Sequence, residues 1–205
     1  MRRALVALLL SASACSLAPV DLSDQSPLPL RTTIAASDGT FLARLFRQNR
    51  ALIPLEELPE HLVDAAIAAE DARFFEHPGY DIRAIARAAL VNLQSGEVIQ
   101  GGSTITQQYV KNVIIAPGQI AEKSYERKLV EAALARQLER KLSKNEILER
   151  YLNTVYFGEG AYGIEAAAKT YFGEAHDGCG ASDDRCASQL LPHEAAMLAG
   201  IISSP

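Results

Sequence analysis

A chain of 205 residues, 48% hydrophobic with charge spread throughout, is long enough for one well-cored domain and excludes disorder as its default state. Its formal net charge of −5 excludes a general nucleic-acid binder, which carries a basic surplus. An anionic ligand would therefore be met by a local cluster of cations.

The N-terminus carries targeting information. Met1, Arg2 and Arg3 precede an uncharged run from Ala4 to Val20 that ends at Asp21, so residues 1–20 read as a secretory signal or a short membrane anchor. The strongly apolar part, Ala4 to Leu10, is too short to span a bilayer comfortably, since spanning takes ~20 residues. Cys15 follows small residues in SASAC, as at a lipoprotein-type processing site, although Ala12 stands where Leu is usual. Residues 21–30, rich in Pro, Ser and Asp, read as a linker that leaves residues 31–205 as the folded domain.

TTIAASDGTFLARLF presents two short β-prone runs around Asp38 and Gly39, a hairpin signal, and everything after Pro59 is helical in pattern. In HLVDAAIAAEDARFF, a helical register sets Val63, Ala66, Ile67 and Phe74 three, four or seven positions from Glu70, which places its carboxylate on the apolar side. An ionised carboxylate is costly to bury, and acids so placed cluster at functional sites. The competing reading of Glu70 is a partly exposed acid near a helix end. Asp81 then caps a helix whose apolar positions Ile82, Ile85, Ala86, Ala89, Leu90 and Leu93 follow the 3.6-residue period. Arg83 and Arg87 lie off that stripe, and Gly96 stands near its end.

GGSTITQQYVKN, from Gly101 to Asn112, combines a glycine pair, hydroxyls, two amides and a lysine. Gly101 and Gly102 permit close backbone approach, Thr104 and Gln107 have capping-box spacing, and helix amides there would face an anion. A well-capped helix accounts for much of this segment but not for the second amide and Lys111. A longer helix runs from about Glu122 to Leu142, with Leu134, Leu138 and Leu142 in one row. Glu131 precedes Leu134 by three and Leu138 by seven, so it too lies on an apolar stripe, with Arg127 and Lys128 on or beside the same face. Alone, that cluster would be an ordinary helix salt bridge worth a few tenths of a kcal/mol. Two inward acids on separate helices instead fit glycosyl transfer, where one carboxylate activates a nucleophile and the other manages charge across the reacting carbon.

Ser143 with Glu146 forms a capping box that opens KNEILERYLN. Ile164, Ala167, Ala168 and Tyr171 mark another helix closed by Gly173, and Pro192 opens the last one, EAAMLAGII. Between these two lie Cys179 and Cys186 in a hydrophilic stretch that suits a local disulfide or free thiols. A zinc site with His176 and His193 competes, but its spacing matches no common zinc pattern. The coarse fold is mainly α with a small N-terminal β element.

EDARFFEHPGYD, GGSTITQQYVKN, RKLVE, KNEILERYLN and YGIEAAAKTYFG together resemble, in order, the five motifs of glycosyltransferase family 51. These are the peptidoglycan glycosyltransferase domains of class A penicillin-binding proteins and monofunctional transglycosylases, and the resemblance runs from about Ile34 to Pro205. It implies a lysozyme-like helical domain that polymerises lipid II on the extracytoplasmic, or periplasmic, face of the bacterial inner membrane. Glu70 aligns with the general base. Glu131 aligns with the second acid, thought to act near the pyrophosphate directly or through a divalent cation such as Mg or Mn. Lys111, Arg127 and Lys128 suit neutralisation of that leaving group, and Ser103, Thr104, Gln107 and Arg87 take positions of substrate contacts. Asn153 reads as structural. The implied partners are lipid II, the growing glycan chain, the membrane and other cell-wall synthesis proteins, with no organic cofactor and no nucleic acid.

The sequence departs from the family pattern in three places. Leu191 precedes Pro192 where family members carry Ser or Thr, the Cys-bearing stretch before it is longer than usual, and members continue past the matching SSP, so a C-terminally incomplete domain is expected. No SxxK with KTG occurs, and no transpeptidase is expected in this chain. Two other classes share the features above: a lytic peptidoglycan-cleaving enzyme, and a non-catalytic membrane-attached scaffold. A lytic enzyme releases an uncharged sugar and has no need of three cations around the second acid.

Overall fold

The computed structural model describes residues 28–97, 101–115, 125–176, 179 and 185–205. The expected signal or anchor, Cys15 and most of the linker lie outside these residues. The hairpin forms where the sequence places it: β1 (Thr32–Ala35) pairs antiparallel with β2 (Phe41–Leu45). Its turn is closed by Thr40 N–H donating to the Asp38 carboxylate at 2.9 Å, with Gly39 at φ +87°, a backbone region open to glycine.

Seven α-helices follow among the described residues: α1 (Glu60–Glu70), α2 (Ile82–Ser95), α3 (Ile105–Tyr109), α4 (Tyr125–Leu138), α5 (Lys144–Leu152), α6 (Ile164–Phe172) and α7 (Pro192–Ile202). The expected caps are present: Asp81 accepts from the N–H groups of Arg83 and Ala84, and both boxes, Thr104 with Gln107 and Ser143 with Glu146, close reciprocally. Gly96 ends α2 in the left-handed region at φ +75°. The core is built where α1 packs on α7 and where α3 meets α4 and α5, around Leu62, Phe74, Ile105, Leu138, Leu148 and Leu198. Asn153 is structural, as expected, for its amide exchanges hydrogen bonds with the backbone of Ile53 at 2.8 and 2.9 Å.

Two expectations are corrected, and two further features take definite form. Helical pattern does not occupy everything after Pro59, because Ala161–Tyr162 (β4) pairs in parallel with Asn49–Arg50 (β3); two-residue strands are too short to leave an alternating signature. The long helix ends at Leu138 rather than Leu142, in a turn where Glu139 is held by Lys144, and its start before Tyr125 lies outside the described residues. The local disulfide read from the sequence is present, joining Cys179 and Cys186, and His176 contacts the Glu194 carboxylate at 2.9 Å, so the competing zinc reading falls away. Finally, the apolar stripe of α2 faces outward. Ile82, Ile85, Leu90 and Leu93 are exposed, Ala88 is the helix's one buried residue, and no other described element packs extensively on it.

Candidate active site

Glu70 is the last residue of α1, because Asp71 leaves helical geometry at φ −159° and ψ 72°. The helix therefore ends before Phe74 can share its face, and Glu70 is half-exposed rather than buried. The partly exposed acid at a helix end is thus the correct structural description. Its Oε2 accepts a hydrogen bond from the Gln108 amide at 2.7 Å, and its Oε1 has no partner among the described residues.

The residues after Glu70 fix the site to the rest of the fold. The buried Asp71 carboxylate accepts from His77 Nε2 at 2.9 and 3.0 Å and from Ile105 N–H at 3.1 Å, tying the end of α1 to the start of α3. Gly79 N–H donates to His77 Nδ1, so the ring is the neutral tautomer that donates from Nε2. Gly79 itself lies at φ +100° against α4, where an added Cβ would stand 2.8 Å from the Ala135 carbonyl carbon. Its carbonyl accepts from Thr104 Oγ1 at 2.7 Å. One loop thus sets α1, α3 and α4 against each other, and those helices carry Glu70, Gln107 with Gln108, and Glu131.

Glu131 is fully buried on α4, as its stripe predicts. Lys128 Nζ donates to its Oε2 at 2.7 Å, and the Arg127 Nε faces Oε1 at 3.1 Å. Because the carboxylate itself is buried, this differs from a surface salt bridge: removing a cation leaves a buried charge poorly compensated. Lys128 also donates to Ser103 Oγ at 3.0 Å, with its own side chain half-exposed. After α3 the chain widens into a π-helical turn, Val110–Ile114, closed by Ile115 N–H to the Val110 carbonyl at 3.0 Å. Such turns recur at functional sites, and this one carries the exposed Lys111 and Asn112 into the cleft.

These side chains line one open cleft of about 810 Å³. Glu70, Ser103, Gln107, Gln108, Lys111, Asn112, Lys128 and Glu131 all border it, together with Tyr156 and Ser203. A smaller cavity of about 210 Å³ shares Glu70 and Ser103 and is lined by Arg87, Thr104, Asp81 and Arg73. Arg73 is paired with the Asp81 carboxylate. Burial alone would raise the Asp81 pKa, but the Ala84 and Arg83 N–H groups and the Arg73 guanidinium hold it below the usual carboxylate range.

Of the residues read from the sequence, six meet in the main cleft: Glu70, Glu131, Ser103, Gln107, Lys111 and Lys128. Arg87 and Thr104 open instead on the smaller cavity, and Arg127 stands against Glu131 without bordering either one. Thr104 and the Gln107 amide oxygen are engaged in the capping box, so their polar atoms serve the fold as well as the wall. Asp71, His77 and Tyr151 went unassigned, since their links span 34 residues or more, or depend on a turn invisible in sequence. Gln108 was visible as the unexplained second amide.

A divalent cation does not fit the acid as it is arranged. Among the described residues Glu131 is the one carboxylate at its end of the cleft, and two cations already stand against it, whereas a divalent ion needs several oxygen ligands. Among the described residues no group of three or more His, Cys, Asp or Glu side chains is placed to hold a metal.

The transglycosylase family model matches residues 38–205. Penicillin-binding protein 1A of Aquifex aeolicus is 40% identical over 177 residues, covering 86% of this chain and 22% of that protein. Penicillin-binding protein 2D of Bacillus subtilis is 41% identical over 179 residues, 87% of this chain and 24% of that protein. Penicillin-binding protein 1A of Escherichia coli is 41% identical over 178 residues, 87% of this chain and 19% of that protein. The chain thus spans about a fifth of the length of the curated relatives it matches. With its match across most of the chain and its five ordered motifs, the chain belongs to the transglycosylase family, glycosyltransferase family 51.

Proposed function

We propose that the chain is a peptidoglycan glycosyltransferase that polymerises lipid II into β-1,4 glycan strands. The observation that carries this reading is a cleft with a half-exposed carboxylate, Glu70, on one wall and the cations Lys111 and Lys128 on another. Glu70 Oε1 takes the proton of the acceptor sugar's 4-hydroxyl as that oxygen attacks the anomeric carbon of the lipid-linked chain. The bond from that carbon to the pyrophosphate oxygen breaks, undecaprenyl pyrophosphate leaves with the electron pair, and the anomeric configuration inverts. A general base of this kind contributes ~10²- to 10⁴-fold in rate.

A pyrophosphate leaving group needs charge neutralisation more than a proton donor. Lys111 and Lys128 supply it directly. Glu131 orients Lys128 and is itself balanced by Arg127, which makes the second acid a holder of cations. No step is assigned to a divalent ion. A lytic enzyme would expel a neutral sugar, and this cation cluster gives that reading no support.

Among the described residues no helix is long and apolar enough to cross a membrane. The outward stripe of α2, with Ile82, Ile85, Leu90 and Leu93, is the surface on which a lipid-linked substrate would meet the bilayer, consistent with action at the extracytoplasmic face of the inner membrane. Incubation with lipid II in parallel with mature peptidoglycan tests the reaction class. Long glycan strands from lipid II support the proposal, and release of muropeptides from the polymer would replace it with the lytic reading.

A further inference from the structure

Behind Glu70 runs a chain of hydrogen bonds that links three of the five motifs. Gln108 Nε2 donates to Glu70 Oε2 at 2.7 Å, and Gln108 Oε1 accepts from the Tyr151 hydroxyl at 3.0 Å. Gln108 is half-exposed at the cleft, whereas Tyr151 is fully buried on α5. An ionised carboxylate only accepts, so the amide must turn its NH₂ toward Glu70 and leave its oxygen for the phenol. A tyrosine hydroxyl with no other partner among the described residues must then spend its proton on that oxygen. Were the amide to flip, its oxygen would face the Glu70 carboxylate and the phenol would have nothing to donate to.

From this geometry we infer that Gln108, held in one orientation by Tyr151, is a positioning residue that fixes the Glu70 carboxylate through Oε2 and leaves Oε1 as the oxygen that takes the acceptor proton. A hydrogen bond to the charged form of an acid favours that form. The Tyr151 phenol keeps the proton it donates, because burial, then the Glu70 and Asp71 carboxylates, push it far above its ordinary range. Other charges also face Glu70. Lys111, Lys128 and Glu131 do so across the main cleft, and Arg73, Asp81 and Arg87 across the smaller cavity. The Asp71 carboxylate lies behind it, bonded to His77. None of them donates to Glu70, and the Gln108 amide is its one hydrogen-bond donor among the described residues.

The inference rests on the proposed role of Glu70 but is tested apart from it. The Glu70 side-chain carboxyl is followed by ¹³C NMR through a pH titration in the wild-type chain, in Gln108→Met and in Tyr151→Phe. Loss of the amide should raise the titration midpoint by about one pH unit, the lower end for a hydrogen bond to an ionised group at a half-exposed site. Tyr151→Phe should raise it less, because the amide remains but is free to turn. The acid limb of kcat for lipid II polymerisation should move to higher pH with the midpoint, with KM unchanged. Gln108 is half-exposed, so its variant folds even where Tyr151→Phe does not. Unchanged midpoints in Gln108→Met overturn the inference whatever the activity. Shifted midpoints in a chain that makes no polymer uphold the lock while refuting the transferase reading.

Discussion

Replacing Gly79 with alanine should be strongly destabilising, because it combines a positive φ with a backbone clash. The new Cβ would stand 2.8 Å from the carbonyl carbon of Ala135, 2.9 Å from its oxygen and 3.0 Å from Arg136 N, all backbone atoms of α4 that cannot rotate aside. The residue also holds φ +100°, where an L side chain is strained by about 1–2 kcal/mol. Relief of the overlap adds about 1–3 kcal/mol, for a total centred on roughly 3 kcal/mol. In a domain of this size that corresponds to a fall in Tm of roughly 6–12 °C. Gly39→Ala is the control, since it shares a positive φ of +87° but meets nothing within 4 Å, and a strain centred on about 1.5 kcal/mol should cost roughly 3–6 °C. The assay is thermal unfolding by circular dichroism on the three chains. Because the Gly79 carbonyl also accepts from Thr104, polymerisation should fall in the variant even below its melting temperature. Equal losses for Gly79→Ala and Gly39→Ala would refute the view that this loop is wedged against α4.

Three further outcomes follow from the site and its supports. Leu191→Ser should raise Tm by roughly 2–4 °C, because Glu194 already accepts from the Leu191 N–H at 2.8 Å and a hydroxyl would complete the box for about 1 kcal/mol; an unchanged Tm counts against it. Asp81→Asn should remove an acid-sensitive contribution to stability. The folded-state pKa of Asp81 is depressed, so its contribution is present above about pH 4 and is lost as pH falls through the lower folded value. Denaturant unfolding from neutral to acid pH should therefore show the gap between the two chains closing as pH drops, and a constant gap would contradict the assignment. Lys128→Met should lower kcat for lipid II polymerisation by roughly 10- to 100-fold, the range for one lost charge-assisted hydrogen bond, with circular dichroism confirming the fold; full activity would remove Lys128 from the leaving-group site.

Local signals in the sequence were reliable where the physics is local. Asp81, Thr104 with Gln107, and Ser143 with Glu146 each cap the helix they precede, and each rule spans three residues. Glu131 was legible because eight residues of uninterrupted helix link it to Leu138. Glu70 was legible as an acid out of place, but for a reason other than burial: the helix stops at it, and Asp71 turns away to bind Ile105, 34 residues on. Nothing in one-dimensional periodicity says which solvent a stripe will face, so α2 has the pattern of a core helix and an exposed surface. Tyr151 was hidden for a related reason, since a buried tyrosine on a helix reads as core until the atom facing its hydroxyl is known.

The central claim is that Glu70 is the base for glycan polymerisation from lipid II. Glu70→Gln keeps the shape of the side chain, sits at a half-exposed helix end and should leave the fold intact by circular dichroism. With labelled lipid II, the account predicts that polymer formation falls by ~10²-fold or more relative to the wild-type chain. Glycan strands made by that variant at the wild-type rate would contradict it.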